Sequence, residues 1–144
     1  MVLKCPFFTF NSTINKFIKK HEKWIEEKLK KSKKVELSPE KIKLYKKQAH
    51  DYIPDRVAYF AQKFGFIYNK IRITSASTRW GSCSSSKNLN FSFRLIRTPE
   101  SVIDYVIIHE LAHLKHMNHS KNFWKEVETM YPNYKESEKW LKQN

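Results

Sequence analysis

Two histidines four residues apart with a glutamate between them, His109-Glu110-Leu111-Ala112-His113, followed by His119, carry the chemistry in this sequence. On a helix, positions four apart differ by about 6 Å along the axis and roughly 40° around it, so His109 and His113 project from one face and can share one metal ion. Glu110 is turned away by one residue. It is poorly placed as a third ligand on that face, yet close enough to hydrogen-bond a water beside the metal, which is the position of a general base. The pattern H-E-x-x-H points to zinc (Zn2+) and to hydrolysis.

A catalytic zinc takes three protein ligands and keeps a fourth position open, and the next histidines are His116 and His119. If the helix continued, His116 would lie about 10.5 Å along the axis from His109, too far to share an ion. His119 can join only if the helix stops and the chain turns back. Asn118 tolerates the left-handed conformation that such a stop uses, Lys115 and His116 suit a helix C-terminus, and Ser120 can cap a following helix at Lys121. The metal ligands are therefore read as His109, His113 and His119, with Glu110 catalytic.

The elements that must position these residues can be read on either side. Thr98-Pro99-Glu100 caps the metal helix, whose first turns are apolar all round and imply a central place in the core. Upstream, Ile71 and Ile73 mark a strand over about Lys70 to Ala76. Leu89, Phe91, Phe93 and Leu95 alternate as a second, and two antiparallel strands follow, joined by the polar run from Thr78 to Asn88. Ser38-Pro39 starts a long helix that runs to Gly65, with Pro54 expected to kink or split it. A helix from Ser12 to Lys31 precedes it, and Val2 to Phe10 has the extended character of an edge strand or arm. Phe123, Trp124 and Val127 mark a helix after the metal segment, and Tyr134 and Trp140 a last one.

Composition narrows the class. A chain of 144 residues with 40% hydrophobic residues can bury a real core, which argues against disorder. Cys5 and Cys83 are too few for a disulfide framework and read as free thiols of a reducing compartment. Neither a leader with an apolar core nor a stretch of the ~20 apolar residues that a membrane span needs is evident, so the expectation is a cytoplasmic protein with no membrane partner. The net charge of +14 is densest in lysine from Lys16 to Lys47. It admits nucleic acid as a partner, but solvated lysines on amphipathic helices explain it better, since few arginines and no aromatic strip accompany them.

The ordered run Thr78-Arg79-Trp80-Gly81-Ser82-Cys83-Ser84, then Leu89-Asn90-Phe91, the helix Val102 to His113, Met117-Asn118-His119-Ser120 and Phe123-Trp124, resembles the YgjP-like metallopeptidase family, relatives of the SprT-like zincins. The resemblance covers the C-terminal half. It implies an α+β, zincin-like fold in one domain over 1–144: residues 1–10 as the end of an N-terminal β segment, 12–64 helical, and 67–144 a small antiparallel sheet packed on the metal-binding helix. It also implies a zinc peptidase acting on a peptide or protein substrate, with His109, His113 and His119 as ligands and Glu110 as acid/base. Arg79, Trp80 and Gly81 are candidate substrate-binding residues, with Arg79 as oxyanion stabiliser or the strand as a template for an extended peptide. Equally, Trp80 can pack on the metal helix and Gly81 permit a tight turn. Cys83 is a weak candidate nucleophile because a metal site activates water instead, and Met130 fits the apolar face with Phe123 and Val127. The alternative from another class is a non-catalytic, zinc-stabilised basic module that docks nucleic acid or a protein partner.

Overall fold

In the computed structural model, which describes residues 37–144, Ser38 and Pro39 open helix α1 (Pro39–Phe64). The Ser38 hydroxyl accepts from the Lys41 amide, and Pro39 occupies the first turn, where its missing N–H is harmless. Gly65 ends the helix in the left-handed conformation at φ 71°, with its N–H on the Ala61 carbonyl. One stripe, Ala49, Ile53, Val57, Phe60 and Ala61, is buried. The helix runs through Pro54 without the expected split. The proline removes a bond to the carbonyl of His50, an exposed residue where water can serve instead, and the buried stripe continues on either side of it with Ala49, Ile53 and Val57. The arm expected over Val2 to Phe10, the helix expected from Ser12 to Lys31, and Cys5 lie outside the described residues.

After α1 come β1 (Lys70–Thr74), β2 (Gly81–Cys83) and β3 (Asn88–Ser92), in the sheet order β1-β3-β2. The antiparallel pairing expected of the two main strands does not form. β1 and β3 run parallel, with Ile71 opposite Leu89 and Ile73 opposite Phe91, and β2 pairs antiparallel with β3. The polar run read as a connection contains the third strand. The chain leaves β1, crosses to the far edge as β2, and hairpins back between the two. The hairpin closes through Ser84 and Lys87, with Lys87 at φ 58°. The three small residues of β2 show no apolar alternation, so nothing in the sequence marks them as a strand.

The second expected strand also ends early. The Ser92 hydroxyl donates to the Ala76 carbonyl and accepts from the Arg94 amide, so the chain turns into a 3-10 helix over Phe93–Arg97. A side-chain hydroxyl here competes with the sheet ladder. Phe93 and Leu95 remain buried all the same.

Helix α2 (Glu100–Ala112) is central, as its composition predicts: every residue from Val102 to Ile108 is buried, and it packs against α1, β2, α3 (Lys121–Met130) and α4 (Tyr134–Gln143). Its N-cap is Pro99, with no side-chain cap. Thr98, expected to serve there, instead donates its hydroxyl to the Leu95 carbonyl and closes the 3-10 turn. Two polar ties hold α2 in place. Arg56 of α1 donates from Nε and Nη2 to the two carboxylate oxygens of Asp104, each at 2.6 Å, and the Tyr131 and Ser137 hydroxyls both donate to the Ser101 carbonyl. Met130 is buried in the core, as expected. The architecture is α+β, with four helices and a small mixed sheet among the described residues. No helix among them is long and apolar enough to cross a membrane.

Candidate metal centre

The last turn of α2 presents His109, Glu110 and His113 together. Beyond Ala112 the helix tightens: the Leu114 amide donates to the Leu111 carbonyl, and the amides of Lys115 and His116 both reach Ala112. The left-handed stop expected at Asn118 does not occur. Among the described residues only Gly65 and Lys87 have positive φ, so the chain turns back through these tightened bonds instead. His119 follows, and Ser120 then caps α3 as expected, its hydroxyl accepting from the Phe123 amide.

This turn brings the three imidazoles to one point. Their ligand nitrogens lie within 4.8 Å of one another, and the two Nε2 atoms of His109 and His119 face each other at 3.0 Å. Two nitrogens bonded to one tetrahedral zinc stand about 3.3 Å apart, so the His109–His119 pair is already near that spacing and the third nitrogen lies within reach of the same ion. His116 stays outside the cluster, yet it has a part. Its carbonyl accepts from His113 Nδ1 at 2.9 Å, which leaves His113 Nε2 as the free ligand atom. His109 Nδ1 has a longer contact, 3.5 Å, with the Tyr105 hydroxyl. Sequence reasoning named neither partner, because Tyr105 reads as one more apolar position on α2 and a backbone carbonyl leaves no mark in a sequence.

Burial prepares these groups. It pulls His109 down to about 3, helped by His113 and His119 beside it, and it lowers His113 as well, against the pull of the His116 carbonyl. Neutral imidazoles are the form that binds metal. Glu110 is 6% exposed, and burial lifts its carboxyl to about 8, with the charge of Arg79 acting in the opposite direction.

A cleft of about 300 Å³ opens here, walled on one side by Gly81, Ser82 and Cys83 of β2 and on the other by the three histidines, Glu110 and Met117. Of the three candidate substrate-binding residues, only Gly81 lines it. Arg79 is exposed and touches the site through its charge, while Trp80 is half-buried and its carbonyl accepts from the Ser92 amide. Gly81 has a reason other than a tight turn: a Cβ there would stand 2.6 Å from Glu110 Oε1 and 2.7 Å from its Cγ. The glycine makes room for the carboxylate. Cys83 keeps its thiol protonated, pushed up to about 11 by burial and then by Glu110, which does not suit a nucleophile.

Residues 40–144 match the family model described as YgjP-like, metallopeptidase domain. Among solved structures, the chain is similar to the metallopeptidase zymogen abylysin of Pyrococcus abyssi, with 27% identity and a TM-score of 0.56 over 62% of this chain and 90% of that one. It is also similar in fold to the metallopeptidase zymogen jannalysin of Methanocaldococcus jannaschii, at 23% identity and a TM-score of 0.53 over 63% and 94%. No curated protein matches the chain.

Proposed function

The chain belongs to the YgjP-like metallopeptidase family, and on that footing we propose that it hydrolyses peptide bonds with a zinc ion held by His109, His113 and His119 and with Glu110 as general base. The observation that carries the reading is the convergence of three imidazole nitrogens within 4.8 Å, on a cleft that also holds a buried carboxyl. Family membership implies protein substrates. The donor set supports zinc: three imidazole nitrogens and no fourth protein ligand among the described residues is the arrangement of a catalytic site rather than a closed structural one.

A zinc ion held by His109, His113 and His119 would supply Lewis acidity when bound, lowering the pKa of a water toward neutrality and polarising a peptide carbonyl. The protein does the rest. A Glu110 carboxylate oxygen takes a proton from the attacking water as its oxygen adds to the carbonyl carbon. The same carboxyl then returns the proton to the amine nitrogen as the carbon–nitrogen bond breaks. Its lifted pKa suits this two-way transfer, because a group that titrates near the working pH both accepts and gives up a proton readily; a cation nearby would draw it back toward the ionised form. Gly81 keeps the β2 wall off that carboxyl, and Met117 gives the opposite wall an apolar surface.

The test measures zinc content and hydrolysis of an unfolded protein substrate for the wild type and Glu110→Gln. The amide keeps size and polarity but cannot accept the proton, so zinc content should stay near one ion per chain while the rate falls by about 10²- to 10⁴-fold. A Glu110→Gln protein as active as the wild type, or a wild type that excludes zinc, would rule the mechanism out.

A further inference from the structure

The three imidazoles are not held in the same way. His113 is fixed through Nδ1 by the His116 carbonyl, and His109 has the Tyr105 hydroxyl near its Nδ1. His119 has no hydrogen-bond partner on its Nδ1 among the described residues, and it sits in an exposed connector rather than on a helix. A ligand held by neither a helix nor a second hydrogen bond needs another constraint on its ring plane. Phe123 supplies part of the floor, but it touches all three imidazoles, at 4.5 to 4.9 Å between ring centroids, and so favours none of them.

Trp124 differs. Its indole stands edge-on to His109, at 68° and 5.9 Å between centroids, but stacks on the His119 ring, with 27° between planes and 5.8 Å between centroids, so of the two only His119 meets its face. Behind it, Tyr134 of α4 stacks on the indole at 5.4 Å and 23°, and Tyr134 in turn stacks on Tyr105 at 6.3 Å and 22°. Tyr105 is the residue whose hydroxyl approaches His109. The series His119, Trp124, Tyr134, Tyr105, His109 therefore closes a loop behind the candidate metal site, joining the connector ligand to a helix ligand through rings from three helices. Aromatic stacking is directional enough to set a ring plane, and each offset pair adds about 0.5 to 1.5 kcal/mol beyond its buried area.

We propose that Trp124 is the positioning residue for His119: its indole, backed by Tyr134 of the last helix, sets the plane of the third imidazole and so completes the metal site. The inference rests on the three-histidine reading of the preceding subsection and adds to it a residue that touches neither metal nor substrate. It also gives α4 a role in metal binding, although that helix contributes no ligand.

The experiment uses the full chain, stripped of metal and reloaded. Zinc affinity is measured by competition with a chromophoric chelator, ligand geometry by the visible absorption of the Co2+-loaded protein, and folding by thermal melting of the metal-free form. Trp124→Leu should weaken zinc binding by about 10- to 100-fold and alter the cobalt band, with the metal-free form melting at a lower temperature for the lost stacking but still in one cooperative transition, because Trp124 is only half-buried. Trp124→Phe, which restores a stacking face, should recover most of the affinity, and Trp140→Leu, the loss of a different tryptophan, on α4, should leave it at the wild-type value. If Trp124→Leu does not fold, Trp124→Met fills similar space without an aromatic face and carries the same expectation. Unchanged affinity and an unchanged cobalt band in the Leu or Met variant would overturn the proposal. So would an equal loss in Trp124→Phe or in Trp140→Leu. A wild type that takes up no zinc instead overturns the metal reading itself and this inference with it.

Discussion

The two segments that supply the imidazoles are built on different principles. α2 is a buried rod: Asp104 is gripped by Arg56, the Ser101 carbonyl receives two hydroxyls, and its side chains from Val102 to Ile108 are packed on every side. The connector that carries His119 is exposed and is shaped by a few backbone bonds and by the rings of α3 behind it. Two of the imidazoles and the carboxyl thus come preassembled with the core, and the third imidazole is delivered by a local turn. The difference teaches where a change should be felt. Damage to the α2 frame should lower stability, whereas damage to the connector and its backing should lower metal affinity in a protein that still folds.

The sharpest way to break this division is Asp104→Ala. It removes both acceptors of the Arg56 guanidinium and leaves that charge poorly paired against the helix, since Arg56 is only 29% exposed and its remaining acidic neighbour, Glu100, lies 3.8 Å away on the surface. The cost should be about 3 kcal/mol, read by denaturant unfolding. Protein that remains folded should still bind zinc with near wild-type affinity. A large loss of affinity without loss of stability would erase the distinction between frame and connector.

Gly81→Ala probes the wall that belongs to neither segment. The new methyl would meet the Glu110 side chain at Cγ as well as at the carboxylate, so rotation of the chain end alone cannot relieve it. The rate of peptide hydrolysis should fall by about 10²-fold, equivalent to about 2.7 kcal/mol at the transition state, while zinc content stays unchanged. Normal activity in Gly81→Ala would show that the carboxyl is not held where the mechanism needs it.

The same contrast separates what the sequence disclosed from what it hid. His109, Glu110 and His113 were legible because helical spacing alone puts them together, and Ser38, Gly65 and Ser120 because capping is local chemistry. His119 could be named, but the route to it could not. Asn118 is the residue type that suits a left-handed stop, yet the chain turns by tightened helical bonds that no side chain announces. The mixed sheet was hidden for a related reason. β2 is three small residues whose role depends on β3 beside it and Glu110 above it, and a parallel pairing across such a crossover is a property of the topology. The ring stack behind the site likewise joins residues from three helices, each of which alone reads as core.

The preassembled half of the site also has a pH signature in the metal-free protein. His109 is held down to about 3 from an ordinary 6.5, so between those values the unfolded chain binds a proton that the folded one refuses, and stability falls as the pH drops; His113 acts in the same direction. Glu110 is lifted to about 8 from 4.5, so between those values the folded chain keeps a proton that the unfolded one releases, and stability falls as the pH rises. Between 4.5 and 6.5 the two opposing slopes largely cancel, and above 6.5 Glu110 acts alone. The metal-free protein should therefore be most stable near the acid side of neutrality and lose about 1.4 kcal/mol per pH unit at the steepest part of the rise toward pH 8. Glu110→Gln should remove that decline, because the amide has no proton to release. Zinc should flatten it too, since a cation beside the carboxylate favours its ionised form. Chemical unfolding in a chelator across this range checks the sign. Stability that instead rises from pH 6.5 to 8 would mean that the carboxyl is solvated, and the buried half of the site would then be no more preassembled than the connector.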